Sequence, residues 1–350
     1  MPLLLTGDPL GSPFVSNGQV ARASAKLRAS GAECLDIALV NNMPDPALEG
    51  TERQFLKLIA AAAQDVCVRV TFASIPEVPR NECGRSYMSS TYCDINRLWD
   101  RRFDGIIVTG NEPRTARLDD EPYWPTLSKL VDWADSHSIA SIWSCLAAHA
   151  AVLHLDDIER RALSAKCSGV HEFTHVARHP MLAGVSTPLR IPHSRYNELA
   201  ADDLRSRGYT ILTQSAEGGV DTFVKEGESL MVFFQGHPEY ESNTLLREFR
   251  RDVGRFVRSE RATFPAIPTG SFDAESIGQL TEFGKMVLLN RREEVLARFP
   301  TEVVEPRLTA SWRRSAIRLF RNWLGYIRAQ KARQAEFVAP AAEPARVASI

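Results

Sequence analysis

Ile139-Ala140-Ser141-Ile142-Trp143-Ser144-Cys145-Leu146-Ala147-Ala148-His149-Ala150-Ala151-Val152-Leu153 is the stretch whose reading decides the fold. Its first five residues form a short apolar run of the kind that reads as a buried strand. From Leu146 the composition turns alanine-rich, a strong helix former. Ser144-Cys145 is therefore the point where a strand passes directly into a helix. A thiol held there lies beside unpaired helix N–H groups, and the positive end of the helix dipole favours the thiolate. The backbone N–H of Leu146 would point toward an oxyanion formed when that sulfur attacks a carbonyl. The competing reading is a buried core cysteine, a common fate of a free thiol.

Working outward, the same alternation recurs. Leu35–Val40, Val66–Phe72 and Gly105–Gly110 read as short buried strands. A capping box at Thr51-Glu52-Arg53-Gln54 opens a helix, and a second helix is expected over Pro125–Ser136. Short apolar strands alternating with helices predict an α/β fold, a doubly wound, mostly parallel sheet with helices on both faces. Further strands are expected at Leu189–Ile191, Tyr209–Leu212, Thr222–Lys225 and Leu230–Gln235, then a helix over Asn243–Glu260. The organisation read from the sequence is an N-terminal arm (1–34), a catalytic domain (35–260), a linker or insertion (261–306), a basic amphipathic helix (307–333) and a disordered tail (334–350).

The last strand of the domain runs into Gly236-His237-Pro238-Glu239. Residues i and i+2 of an extended backbone project to one side, so His237 and Glu239 can face one site. Parallel strands collect their C-terminal ends on one edge, where Cys145 also lies. The chemistry assigns Cys145 as nucleophile, His237 as general base and Glu239 as the group that orients the imidazole.

This arrangement resembles the class I glutamine amidotransferases, and more closely the homoserine O-succinyltransferase family, which shares their flavodoxin-like fold. The resemblance covers about residues 35–255 and resumes at Ala310-Ser311-Trp312-Arg313 and Asn322-Trp323-Leu324. It is carried by Asn42-Met43-Pro44, Gln54-Phe55-Leu56, Phe103-Asp104-Gly105, Val108-Thr109-Gly110, Tyr123-Trp124-Pro125, Ser168-Gly169-Val170, Pro192-His193-Ser194-Arg195-Tyr196, Gly236-His237-Pro238-Glu239-Tyr240, and Glu248-Phe249 with Arg251-Asp252. It implies a ping-pong transfer from succinyl-CoA or acetyl-CoA, through a Cys145 thioester, to the hydroxyl of L-homoserine. It implies no metal and no resident cofactor, since CoA comes and goes with the acyl group. It implies a homodimer. It places substrate contacts on Lys166, Ser194 and Arg251; a guanidinium suits the carboxylate of an amino-acid acceptor.

Two departures from the family pattern stand out. The lysines usual after Asn-Met-Pro are missing from Met43-Pro44-Asp45-Pro46-Ala47-Leu48-Glu49-Gly50. The position that separates acetyl from succinyl enzymes, Glu or Gly in the family, falls on Arg114. An arginine would attract the free carboxylate of a succinyl group, so a succinyl donor is expected. The sequence leaves open serine as acceptor, because one methylene is worth only about 1–3 kcal/mol of discrimination. It also leaves open a glutaminase-like hydrolase and a non-catalytic relative. The neighbours of Cys145 lack the glycines of a G-x-C-x-G amidotransferase turn.

His171-Glu172-Phe173-Thr174-His175 matches the H-E-x-x-H zinc signature, which has meaning only on a helix. Gly169, Val170, Phe173, Thr174 and Val176 predict a strand instead. His193 and His149 are read as structural. Cys34, Cys67, Cys83, Cys93 and Cys167 are read as ordinary thiols without matching partners.

With 42 basic and 43 acidic residues, the chain as a whole is not an electrostatic nucleic-acid binder. That balance hides a segment, 307–333, with eight basic residues and no acidic one. Its apolar positions fall at helical spacing, which fits a helix packed on the core; attraction of CoA phosphates and contact with a membrane surface are the other readings. Absence of a spanning apolar run and of a signal-peptide pattern predicts a cytoplasmic protein with reduced thiols.

Overall fold

The computed structural model describes residues 3–6 and 34–338. Eight strands form the central sheet: β1 (Leu3–Thr6), β2 (Cys34–Val40), β3 (Cys67–Ala73), β4 (Gly105–Thr109), β5 (Ala140–Ser144), β8 (Thr210–Ile211), β11 (Thr222–Glu226) and β12 (Leu230–Phe234). Their spatial order is β1-β3-β2-β4-β5-β12-β11-β8. Every pairing from β1 to β12 is parallel, and only β11 runs the other way, antiparallel to both β12 and β8. A second, four-stranded sheet is antiparallel, in the order β10 (Gly219–Val220), β9 (Thr213–Ser215), β6 (Arg161–His175), β7 (Leu189–Glu198).

Nine helices accompany the sheets among the described residues: α1 (Asp45–Ala63), α2 (Glu82–Thr91), α3 (Trp124–His137), α4 (Leu146–Asp156), α5 (Ala201–Ser206), α6 (Thr244–Val257), α7 (Ala274–Leu289), α8 (Thr301–Val304) and α9 (Arg313–Val338). Alternation along the strands splits the core into two layers. Ile37, Leu39, Val70, Ile142 and Val232 pack with α1 and α9 on one face. Ala38, Val40, Ile106, Val108 and Trp143 pack with α3 and α4 on the other. Strands buried on both sides read as unbroken apolar runs, which is why the sequence made them legible.

Several expectations change. The expected arm contains a strand: Leu3–Thr6 pairs with Val68–Thr71 at the sheet edge, while 7–33 lie outside the described residues. The helix expected to open at Thr51 begins at Asp45, one residue after Pro44, whose fixed φ suits a helix start. The stretch 261–306 is largely helical. Its α7 is capped by Asp273, whose carboxylate accepts from the Ser276 N–H at 2.8 Å, and Leu280, Phe283 and Val287 share a small core with α6. The basic segment is a helix, as expected, but runs from Arg313 to Val338; residues 339–350 of the expected tail lie outside the described residues. Ala316, Leu319, Phe320, Trp323, Leu324 and Ile327 form its buried stripe. No helix among the described residues is long and apolar enough to cross a membrane.

The cysteine reading is also corrected. Cys34 and Cys67 are joined by a disulfide with a Cα–Cα distance of 4.5 Å. They are 33 residues apart in the chain yet directly opposite in the β2–β3 register. They are therefore not unpartnered thiols, and the expectation of reduced cysteines fails for this pair. Cys83, Cys93, Cys145 and Cys167 are free.

Candidate active site

The parallel register brings Thr109, Ser144 and Phe234 level with one another. The residues that follow, Gly110, Cys145 and Gln235, thus meet at the C-terminal edge of β4, β5 and β12. Cys145 sits at φ 52°, ψ −113°, between the last residue of β5 and the first of α4. A non-glycine residue at positive φ is strained and needs surroundings that hold it. Here the Cys145 N–H donates to the Phe234 carbonyl at 2.7 Å. The turn presents the half-buried thiol above the sheet edge.

The Cys145 thiol lies close enough to His237 for their charges to interact. On the other side of the ring, Nδ1 lies 2.8 Å from Glu239 Oε1. Burial alone would push the imidazole down, but the charges of Cys145 and Glu239, with the Glu239 hydrogen bond, raise it well above its ordinary value. Glu239 Oε2 is buried with no hydrogen-bond partner among the described residues, so its charge acts mainly through the imidazole. The His237 ring is stacked on Tyr240, centroids 4.2 Å apart and planes 15° apart. Tyr240 is fixed in turn, its hydroxyl donating to Glu248 Oε1 at 2.8 Å and its carbonyl accepting from Trp312 Nε1 at 3.1 Å.

The Ala148 and His149 N–H groups bond back to the Cys145 carbonyl, which leaves Leu146 and Ala147 as the unpaired donors of the helix start. Gly110 packs against them. A Cβ on Gly110 would come within 3.0 Å of the Leu146 nitrogen, 3.1 Å of the Ala147 nitrogen and 2.6 Å of Leu146 Cβ. Only glycine keeps this pair of N–H groups open, a requirement the sequence reading did not identify. Gly110→Ala is expected to lower kcat by about 10²-fold or more, the cost of a damaged oxyanion site. Steady-state kinetics on a variant with unchanged circular dichroism checks this.

The expected substrate residues lie beyond Tyr240. Lys166 Nζ is 2.7 Å from Asp252 Oδ2 and 4.0 Å from Glu248 Oε2. Arg251 lies 3.0 Å from Asp252 Oδ1 and keeps 46% of its side chain exposed. Burial would raise the Asp252 carboxyl, but Lys166 and Arg251 hold it below its ordinary value. Lys166 and Arg251 are thus brought together by Asp252 and reach the His237 side of the site through Glu248 and Tyr240. Ser194 on β7 is half-buried and faces Ser168 across the hairpin. The approach of residue 269 explains the Ser168-Gly169-Val170 motif. Gly169 adopts φ 143°, and a Cβ there would meet the Thr269 carbonyl at 2.3 Å.

Arg114 lies on the loop after β4. Its N–H is held by the buried Glu121 carboxylate, which also accepts from Thr115, and its side chain is exposed. The sequence reading missed a cation near the thiol. Arg160 donates to the Ala116 carbonyl at 3.2 Å and is near enough to Cys145 for their charges to interact. Burial lowers its pKa.

A buried network supports the segment that carries His237. Asp221 Oδ1 accepts from the Gly236 N–H at 2.9 Å and lies 3.2 Å from His193 Nε2. Arg195 Nε donates to His193 Nδ1 at 3.2 Å. Burial pushes His193 down to about 4 despite Asp221, so its imidazole is neutral near pH 7. The Pro192 carbonyl accepts from the His237 N–H at 2.8 Å, which ties the Ser194 strand to the base. His149 is also structural. Its Nε2 meets Gln235 Oε1 at 3.0 Å, clamping α4 to the end of β12, and burial holds it near 3.

His171 and His175 lie on β6, not on a helix. Four residues of strand separate them by about 13 Å, too far to share one metal ion.

Comparison with known proteins shows the family. The family model for homoserine O-succinyltransferase matches residues 15–334. A homoserine O-succinyltransferase of Rhodopseudomonas palustris is 44% identical over 90% of this chain and 95% of the relative. One from Bradyrhizobium japonicum is 44% identical over 93% of this chain and 99% of the relative. The solved structure of a glutamine amido transferase from Methylobacillus flagellatus superimposes with a TM-score of 0.46 at 14% identity, over 84% of this chain and 95% of that one. This chain is an acyltransferase, and it belongs to the homoserine O-succinyltransferase family.

Proposed function

We propose that the protein transfers a succinyl group from succinyl-CoA to the hydroxyl of L-homoserine by a ping-pong route, giving O-succinyl-L-homoserine and CoA for methionine biosynthesis. The observation that carries this is Cys145 at positive φ, within charge-interaction range of a His237 that Glu239 holds in place.

In the first half-reaction the Cys145 thiolate attacks the thioester carbonyl. The oxyanion is held by the Leu146 and Ala147 N–H groups. The intermediate collapses by breaking the carbon–sulfur bond to CoA, and protonated His237 gives its proton to the departing thiolate. In the second half, His237 takes the proton of the homoserine hydroxyl as its oxygen attacks the Cys145 thioester, and the cysteine thiolate leaves. Glu239 orients the ring and stabilises its protonated form. Arg251 and Lys166 offer cations for the acceptor's carboxylate, with Ser194 beside them. Arg114 attracts the free carboxylate of the succinyl donor.

The test is intact mass spectrometry after mixing protein with succinyl-CoA alone. A succinyl adduct on Cys145 that homoserine discharges is the expected result. An unmodified protein that still turns over when homoserine is added removes the ping-pong route. For the donor, Arg114→Glu is expected to lower kcat/KM for succinyl-CoA about tenfold more than for acetyl-CoA. Equal losses on the two donors sink the assignment of Arg114.

A further inference from the structure

A second strongly cationic feature lies outside this site. The start of α9 and the loop 184–186 enclose an open cleft of about 820 Å³, lined by Arg313, Arg314, Arg318 and Arg321 with Ser186 and Ser315. The loop is pinned to the helix, since Asn322 Nδ2 donates to the Met181 and Ala183 carbonyls at 2.8 and 2.9 Å. Ser186 and Ser315 meet at 3.1 Å across the cleft. Gly184 adopts φ 67°, and a Cβ there would lie 3.6 Å from the Arg318 guanidinium carbon.

Several arginines elsewhere in the chain are neutralised, and these are not. Arg53, Arg80, Arg117, Arg251 and Arg255 each meet a carboxylate within 3.2 Å. No carboxylate among the described residues forms an ion pair with Arg314, Arg318 or Arg321, and Arg321 Nε is buried with no acceptor. Guanidinium groups crowded around one cleft repel each other unless an anion joins them. Several planar forks with two hydroxyls suit a ligand with more than one phosphate. The start of α9 also reaches toward residues 240 and 241. Arg313 lies close enough to Glu241 for their charges to interact, and its neighbour Trp312 is bonded to Tyr240, which stacks on His237.

We propose that this arginine cleft is a binding site for a ligand carrying two or more phosphates. Such phosphates could come from the CoA part of the acyl donor or from a free phosphorylated nucleotide. The first source rests on the acyl-CoA reading above; the site itself does not. The full-length protein is titrated by calorimetry with adenosine 3′,5′-bisphosphate and with pyrophosphate. Binding is expected to weaken at least tenfold in R318A/R321A, to recover in part in R318K/R321K, and to fall as salt rises. Absence of binding to the unmodified protein, or equal binding to R318A/R321A of unchanged melting temperature, overturns the proposal. A variant that does not fold is replaced by R314A/R318A, both outward-facing, and the same criteria apply.

Kinetics then separates the sources. A tenfold rise in KM for succinyl-CoA in R318A/R321A, with an unchanged rate on succinyl-N-acetylcysteamine, which has no phosphate, identifies the donor. Lost bisphosphate binding with an unchanged KM identifies a free ligand. Either result supports the site, and the calorimetric arm reads without turnover, so failure of the acyl-transfer reading would not be mistaken for failure of the cleft.

Discussion

Cys145→Ala is expected to lower kcat for acyl transfer by about 10⁴-fold or more, because no other group in the site can carry the acyl chain. The succinyl adduct should vanish from the mass spectrum at the same time. The fold should survive, since alanine accepts the same backbone geometry at the same cost. Cys145→Gly separates strain from chemistry. Glycine occupies φ 52° without penalty, so this variant should be as inactive as the alanine one and more stable by about 1 kcal/mol. Thermal melting of the three proteins checks it. A glycine variant no more stable than the alanine one would mean that the turn is not strained. Residual activity within tenfold of the parent would remove Cys145 as nucleophile.

Loss of the carboxylate behind the base is the second large effect. Glu239→Gln keeps the shape but removes the charge that holds His237, and should lower kcat/KM by about 10²–10⁴-fold. The same substitution should lower the imidazole pKa, because one of the two anions that raise it is gone. Proton NMR of the His237 ring reads this directly. The sign carries through to stability. A histidine raised above 6.5 contributes stability fully below that value and loses it as pH rises through the higher folded value. The parent should therefore lose this part of its stability above neutrality, and Glu239→Gln should flatten the loss. A His237 that titrates equally in both proteins would show that Glu239 does not govern it.

The sheet and the site were legible to different degrees, for physical reasons. Strands buried on both faces leave unbroken apolar runs, so β2, β4, β5 and β12 could be read directly. The abrupt change at Ser144-Cys145 marked the strand-to-helix turn that holds the thiol, and the i, i+2 spacing marked His237 with Glu239. What depended on neighbours distant in the chain could not be read. Cys34 finds Cys67 only because β2 and β3 are adjacent and in register. Asp221 supports Gly236 from the neighbouring strand, and Gly110 matters only once β4 lies beside the start of α4. Arg160 gave no signal, being one of two consecutive arginines after a helix. The stretch 261–306 was misleading because Pro265, Pro268 and Gly270 crowd its first part, while the helix α7 follows them.

Trp312 has a consequence for the order in which the protein is made. Its indole is bonded to the carbonyl of Tyr240, the residue on which His237 rests, and its helix follows every other described element in the chain. Folding during synthesis proceeds from the N-terminus, so the central sheet and the Cys145 turn can form while α9 is still inside the ribosome. The base would then be left without its backing. A nascent chain would hold His237 by Glu239 and Pro192 alone, and would seat Tyr240 behind the ring only once the last described helix had docked.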